Sequence, residues 1–391
     1  MAPEKLKIAY VTRGKADDPG NWSGIVRHIK NGLVEAGHEV NVIDGITSAV
    51  PWQSRLKGRL ARMTSGKIYA YDRDLGASRH FAKQVDEKLS GMNVDCVVCP
   101  VLNTPAHFRT KLPIAVWDDG PFHCLREIYP QYEGIADVSL RDGDLLDRLS
   151  IEKCAVLAFA SHWAANDASN FHGADPAKTM VIPFGSNCPS PYRSETEVRD
   201  AFASKPPEPF KLLFVGIDWM RKGGPQTVEI HQELRRRGVN AQLTIVGCNP
   251  FTGPVPEGIV CLGRLHKANK EDAAKLEACF RDAHVFIMPT RAECFGVVYA
   301  EAAAHALPSI GTRVGGVADA VVEGQTGWIF DLNANPSEYC DLLESLASDQ
   351  TKLLESSIRA FNYQRRELNW ERSVTKLVAA LRPNIPPKFT R

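Results

Sequence analysis

Apolar residues follow two alternating rhythms along this chain. Short runs rich in β-branched residues alternate with longer stretches whose apolar positions recur every three or four residues. The first run, KIAYV at 7–11, leads into a loop that ends in Ser23-Gly24, then IVRHIKNGLVEAGH, then EVNVI. In the middle stretch Ile25, Ile29, Leu33 and Ala36 share one helical face. The pattern returns about 200 residues later as KLLFV, the loop GIDWMRKGG, a helical stretch to LRRRG, and NAQLTIV. Gly37 and Gly238 stand where helix C-terminal glycines are expected. Each half thus opens with a strand–helix–strand unit, the start of a parallel sheet.

More strand-like runs follow. The first half has CVVCPV (96–101), PIAVW (113–117), CAVLAFA (154–160) and TMVIPF (179–184). The second has GIVCL (258–262), HVFIMP (284–289), PSIGT (308–312) and GWIF (327–330). Continuous apolar strands suit sheets covered on both faces. The reading is α/β, with two Rossmann-like domains facing each other across a cleft. The N-terminal domain is expected over 1–190 and a linker with one short helix over 191–210. The stretch 185–210 holds five prolines and no sustained apolar period. The C-terminal domain is expected over 211–368. Residues 369–391 read as a helix and tail, with Trp370, Val374, Leu377, Val378 and Leu381 on one face, packing back on the N-terminal domain. Ligands of open parallel sheets bind beyond the carboxyl ends of the strands, so the cleft is the expected site.

Composition narrows the classes. The 391 residues are 44% apolar and 24% charged, which excludes a disordered or collagen-like chain. Lys plus Arg total 47 against 46 Asp plus Glu, so no global field draws nucleic acid. The ten cysteines are scattered, and Cys96-Val97-Val98-Cys99 reads as a buried strand rather than a redox or metal motif. With no signal-like leader and no long apolar span, a reducing cytoplasm is expected. Asp72-Arg73-Asp74 is a DxD without a preceding strand, and no metal site is expected there. Segment 51–83 carries eight Lys and Arg against two Asp, with Trp52, Leu56, Leu60 and Met63 at helical spacing. A basic amphipathic helix of this kind can lie peripherally on an anionic membrane or meet a charged acceptor. The alternative is an ordinary helix with a solvated basic face.

Two loops carry candidate chemistry. Gly216-Ile217-Asp218-Trp219-Met220-Arg221-Lys222-Gly223-Gly224 follows a strand and opens a helix. Its glycines allow close backbone approach, its helix offers free N–H groups, and two cations stand beside them, a combination suited to a diphosphate. The Walker A spacing is absent. The second loop, Pro289-Thr290-Arg291-Ala292-Glu293-Cys294-Phe295-Gly296-Val297, also runs from a strand into a helix. Glu301 lies in that helix among alanines, eight residues after Glu293. Two carboxylates flanking a helix N-terminus suit a ligand with hydroxyls at its ends and phosphate between, such as a nucleotide-sugar.

The stretch AECFGVVYAEAAAHALPSIGTRVGGVADAVVEGQTGWIF resembles the C-terminal half of retaining GT-B glycosyltransferases, the large sucrose-synthase-like family called glycosyl transferases group 1, in its bacterial branch. The matching residues are Glu293, Phe295, Gly296, Glu301, Pro308, Ile310, Gly315-Gly316, Gly324 and Gly327. The resemblance implies a retaining hexosyltransferase that moves sugar from a nucleoside-diphosphate donor to a hydroxyl acceptor whose identity stays open. UDP-sugar is favoured on family frequency and GDP-mannose second. It further implies that Glu301 holds the ribose, that Glu293, Phe295, Gly296 and Val297 hold the sugar and distal phosphate, and that Gly216, Arg221 and Lys222 hold the leaving diphosphate. Arg264 and Leu265 would lie against the base, and Ser23 and Gly24 would reach the phosphates. No cofactor or metal is expected if Arg221 and Lys222 do the work of a divalent ion. Two departures stand out: Ile217 occupies a position where relatives often carry Arg, and Trp117-Asp118-Asp119-Gly120 replaces a histidine after the PIAVW strand. Asp118 or Asp119 could act at the reacting carbon, or His123 could swing in. His123 and Trp22 are the acceptor-side candidates. The alternatives are an epimerase or phosphorylase on the same fold, and a two-lobed sugar-binding protein without catalysis.

Overall fold

A computed structural model describes residues 5–46 and 50–387. In chain order the first elements are β1 (Lys7–Val11), α1 (Ile25–Glu35), β2 (Glu39–Ile43), α2 (Trp52–Ser65), α3 (Leu75–Ser90), β3 (Cys96–Cys99), β4 (Ile114–Asp118), α4 (Phe122–Ile128), α5 (Asp137–Lys153), β5 (Val156–Phe159), α6 (His162–Asn170) and β6 (Thr179–Val181). There follow α7 (Glu195–Ala203), β7 (Phe210–Val215), α8 (Gly224–Arg236), β8 (Ala241–Val246), β9 (Ile259–Cys261), α9 (Lys270–Asp282), β10 (Val285–Ile287), α10 (Val297–Ala304) and β11 (Ser309–Thr312). The last are α11 (Val317–Ala320), β12 (Gly327–Phe330), α12 (Pro336–Ser348), α13 (Gln350–Glu367) and α14 (Trp370–Leu381). The chain divides into two compact units, one of residues 1–183 with 370–391, the other of 184–369.

The N-terminal unit holds a parallel sheet in the order β2-β1-β3-β4-β5-β6. Its strands β3, β4 and β5 are fully buried, as their apolar runs require. The CVVC run is the central strand β3, with both thiols inside the core. All ten cysteines are free. Helix α14 belongs to this unit. Gly32 of α1 lets it approach, since a Cβ there would stand 2.8 Å from Val374. Trp370 stacks on His28 at 5.7 Å, and Ser373 donates to the Pro183 carbonyl at 2.7 Å.

The C-terminal unit holds a second parallel sheet, β12-β11-β10-β7-β8-β9. Numbered within the unit and read from the other edge, the order is 3-2-1-4-5-6, the Rossmann order, with its switch point between β7 and β10. The division at Pro183 falls earlier than the expected boundary at 190. The stretch 191–210 is not a free linker either. Its helix α7 buries Val198 against Ala306, Ile358 and Phe361, because the apolar face of α13 needs cover. Among the described residues no helix is long and apolar enough to cross a membrane.

Candidate functional site

The loops after β7 and β10 leave the sheet side by side at the switch point, where two neighbouring crossovers run to opposite faces. They interlock through backbone. Gly223 has φ +77°, and a Cβ there would stand 1.9 Å from the Pro289 carbonyl oxygen, so only glycine fits. The Arg291 N–H donates to the Arg221 carbonyl at 2.7 Å, and the Thr290 hydroxyl donates to the same oxygen at 3.1 Å.

This interlock brings Arg221, Lys222 and Glu293 together. Arg221 Nη1 donates to the Ala292 carbonyl at 2.8 Å and lies 3.7 Å from Glu293 Oε2. Its Nε sits 3.2 Å from Asp218 Oδ2. Lys222 forms a direct ion pair with Glu293, both side chains mostly buried. The Lys222 stem lies over Gly216, whose missing side chain makes the room. Gly296 then caps α10 with φ +83°, a left-handed conformation that turns the chain into the helix. Phe295 is buried edge-on to Phe184 at 5.5 Å, while Val297 stays half-exposed at the first helical position.

Glu301 lies one helical turn further into α10, only 2% exposed. Its partner is Lys267, which follows β9 and was not singled out from the sequence. Burial pulls the Lys267 ammonium down, but the Glu301 carboxylate outweighs it and holds the lysine above its ordinary value. Gly263, Arg264 and Leu265 lie in the same loop, with Arg264 exposed and Leu265 half-buried. Ile217 projects into solvent, 64% exposed, and Arg221, four residues on, supplies the guanidinium nearest Glu293.

The N-terminal unit places its candidates differently. Asp118 ends β4 and is buried, with one oxygen accepting from the Leu102 N–H at 2.5 Å and the other from the Asp119 N–H at 2.7 Å. Burial pushes its carboxyl up to about 6 against these bonds and the Arg73 guanidinium. Behind it Arg73 lies over the Phe122 ring at 4.4 Å and 3.7 Å from Asp147, whose carboxyl burial lifts to about 7. Asp118 is therefore committed inside the fold, and the outward-facing carboxylate of the pair is Asp119. It accepts from the Trp22 indole at 3.0 Å, which ties together two residues 97 apart in sequence. Trp22, Ser23 and Gly24 all have positive φ, at 47°, 54° and 85°. Two consecutive non-glycine residues in that region mark a strained loop at the carboxyl end of β1.

His123 pairs within the N-terminal unit. Its Nδ1 lies 2.6 Å from Asp167 Oδ1, and its ring stacks on Phe171 at 3.5 Å between centroids. A cavity of about 370 Å³ opens beside it, lined by His123, Trp163, Asn166, Asp167, Asn170 and Phe171 among others. Trp163, Asn166, Asp167 and Asn170 recur at three- and four-residue spacing on α6, a signal legible in the sequence. Asp74 of the DxD caps α3 through the Ala77 N–H at 2.7 Å and accepts from the Ser54 and Tyr69 hydroxyls. Its oxygens are spent on the fold, and among the described residues no cluster of His, Cys, Asp and Glu is arranged to hold a metal ion.

Comparison with known proteins bears on both units. Residues 209–349 match the family described as glycosyl transferases group 1. A D-inositol 3-phosphate glycosyltransferase from Paenarthrobacter aurescens is 30% identical over 222 residues, 51% of this chain and 52% of that protein. The chain spans about half the length of the curated relatives it matches. Several solved structures resemble nearly the whole chain. Sucrose-phosphate synthase from Thermosynechococcus elongatus has a TM-score of 0.69 and 14% identity, covering 97% of this chain and 99% of the other. Anabaena Alr3699/HepE in complex with UDP and glucose has a TM-score of 0.61 and 14% identity, covering 96% and 99%. The second unit thus carries the match to glycosyl transferases group 1, and the two parallel Rossmann-like sheets have the GT-B fold.

Proposed function

We propose that this chain transfers a glycosyl group from a nucleoside-diphosphate sugar to a hydroxyl acceptor, with retention at the anomeric carbon. The observation that carries this reading is the convergence of Arg221, Lys222 and Glu293 beside the N-terminus of α10. The cations meet the diphosphate, where negative charge grows as the sugar–oxygen bond breaks. Glu293 accepts from sugar hydroxyls, and Glu301 with Lys267 receives the ribose. The bond from the anomeric carbon to the diphosphate oxygen breaks, and a bond to the acceptor oxygen forms on the same face. The acceptor proton passes to the departing phosphate. The protein supplies position and charge, and the two cations do this without a metal ion.

A UDP-sugar is the preferred donor and GDP-mannose the second, and the Alr3699/HepE complex with UDP and glucose supports the first. On the acceptor side, the Trp163 cavity has an aromatic wall and several amide and carboxylate groups, a lining suited to a polyhydroxylated molecule. Ten free thiols suit a reducing compartment.

The test is a panel of UDP-, GDP- and ADP-sugars, read by thermal shift and by release of the nucleoside diphosphate. One donor should stabilise the protein and be slowly hydrolysed, and Glu301→Ala should weaken its binding at least tenfold. An α-linked donor should yield an α-linked product by NMR. Stabilisation by free sugar alone, with every nucleotide ignored, would identify a binding protein instead.

A further inference from the structure

Helix α2 is mounted with its large apolar residues facing outward. Trp52, Leu56, Leu60 and Met63 are 71%, 49%, 51% and 84% exposed. On a wheel of roughly 100° per residue they fall within an arc of about 80°. The opposite arc holds Ser54, Gly58 and Ala61. Ser54 donates to Asp74 at 2.6 Å, and Gly58 is buried where a Cβ would meet the Tyr71 hydroxyl at 2.2 Å. Small residues therefore anchor this helix, and the anchor fixes which face is free. Helix α1 of the same unit does the reverse, burying Ile25, Val26, Ile29 and Leu33. The outward orientation of α2 is thus set by packing, not by a shortage of apolar residues to bury.

The charges around this face have one sign. Arg55, Lys57, Arg59 and Arg62 lie in α2, which has no Asp or Glu. Lys57 leans toward Asp74 at 3.6 Å. Arg55, Arg59 and Arg62 are exposed along one flank of the apolar arc. Beyond the helix, Ile68 is a further exposed apolar residue at 64%. A second copy of this face would bring cations against cations. A nucleic acid would meet the arginines but give Trp52, Leu56 and Met63 nothing apolar to enter. An anionic lipid surface satisfies both features, with arginines at headgroup level and the apolar arc below it.

We propose that α2 docks the protein on anionic membranes, inserting Trp52, Leu56, Leu60 and Met63 among the acyl chains while Arg55, Arg59 and Arg62 pair with lipid phosphates. The proposal is independent of the donor chemistry, because it uses none of the residues placed in that site. The test is flotation of the full chain with vesicles of phosphatidylcholine alone and with about a third phosphatidylglycerol, at low and high salt. Binding should require the anionic lipid and fall with salt. Trp52→Ser with Met63→Ser should reduce it at least tenfold, and Arg55→Gln with Arg59→Gln should also reduce it strongly. Both pairs are surface changes, so the melting temperature and nucleotide-sugar stabilisation should stay unchanged, which separates lost docking from lost folding. Equal binding to both vesicle types, no binding to either, or a Trp52-dependent dimer in solution would overturn the proposal.

Discussion

The two units build parallel sheets of six strands and then use charge in opposite ways. In the C-terminal unit the two carboxylates near the switch point are buried, each paired with a lysine, Glu293 with Lys222 and Glu301 with the partly exposed Lys267. In the N-terminal unit the charge cluster of Arg73 with Asp118 and Asp147 is sealed inside, while Asp119 beside it looks outward. A pair that a ligand can reach can exchange partners. A buried cluster cannot do so without unfolding, so its work is to hold loops still. Strand order alone does not distinguish these uses. The difference lies in whether a carboxylate sits at the start of a crossover helix or at the end of a fully buried strand.

The largest effect should come from attacking the backbone interlock of the C-terminal unit. Gly223→Ala forces a Cβ into the Pro289 carbonyl and should cost about 3 kcal/mol or more, seen in denaturant titration, with loss of nucleotide-sugar binding. A loss below about 1 kcal/mol would mean that the two loops separate easily.

An intermediate effect should come from the sealed cluster, and it should depend on pH. Burial raises Asp147 to about 7 in the folded chain, while an unfolded Asp titrates near ~4. The native state therefore holds the extra proton between these values. This group's contribution to stability is full below about pH 4 and is lost as pH rises through about 7. Asp147→Asn removes that loss. The difference in melting temperature, variant minus parent, should grow by several degrees between about pH 5 and about pH 8. A difference that stays flat would mean that Asp147 is ionised throughout and held by Arg73.

The smallest effect sharpens the first. Gly37 also has positive φ, at 86°, but a Cβ there would meet nothing within 4 Å. Gly37→Ala should cost only about 1 kcal/mol in the same titration, the price of the left-handed backbone alone. If it matched Gly223→Ala, backbone conformation rather than the Pro289 contact would explain both.

What the sequence displayed and what it withheld follow the same line. Gly296, Glu293 and Glu301 fall within one short loop and helix, so periodicity and residue chemistry were enough to group them. The strand–loop–helix repeat likewise lies within short windows. Trp22 with Asp119, His123 with Asp167 and Lys267 with Glu301 are 97, 44 and 34 residues apart, and only the order of strands brings them together. Asp118 and Asp119 are neighbours with identical side chains, and which one faces inward depends on the pleat of β4, one residue of register. For α2 the spacing of Trp52, Leu56, Leu60 and Met63 revealed an apolar face, but not that Ser54 and Gly58 would be the buried side.

The paired carboxylates of α10 and of the loop before it have a thermodynamic consequence. Each already carries an ammonium group before any donor arrives. A bare carboxylate in so enclosed a place would have to be stripped of water first, at a cost of several kcal/mol. On the proposed function, hydroxyls and phosphate instead meet an arrangement that is neutral in pairs, and binding becomes a trade of one hydrogen-bonding partner for another. Neither carboxylate is left as an uncompensated charge, and each lysine stays at hand for the group that its carboxylate meets.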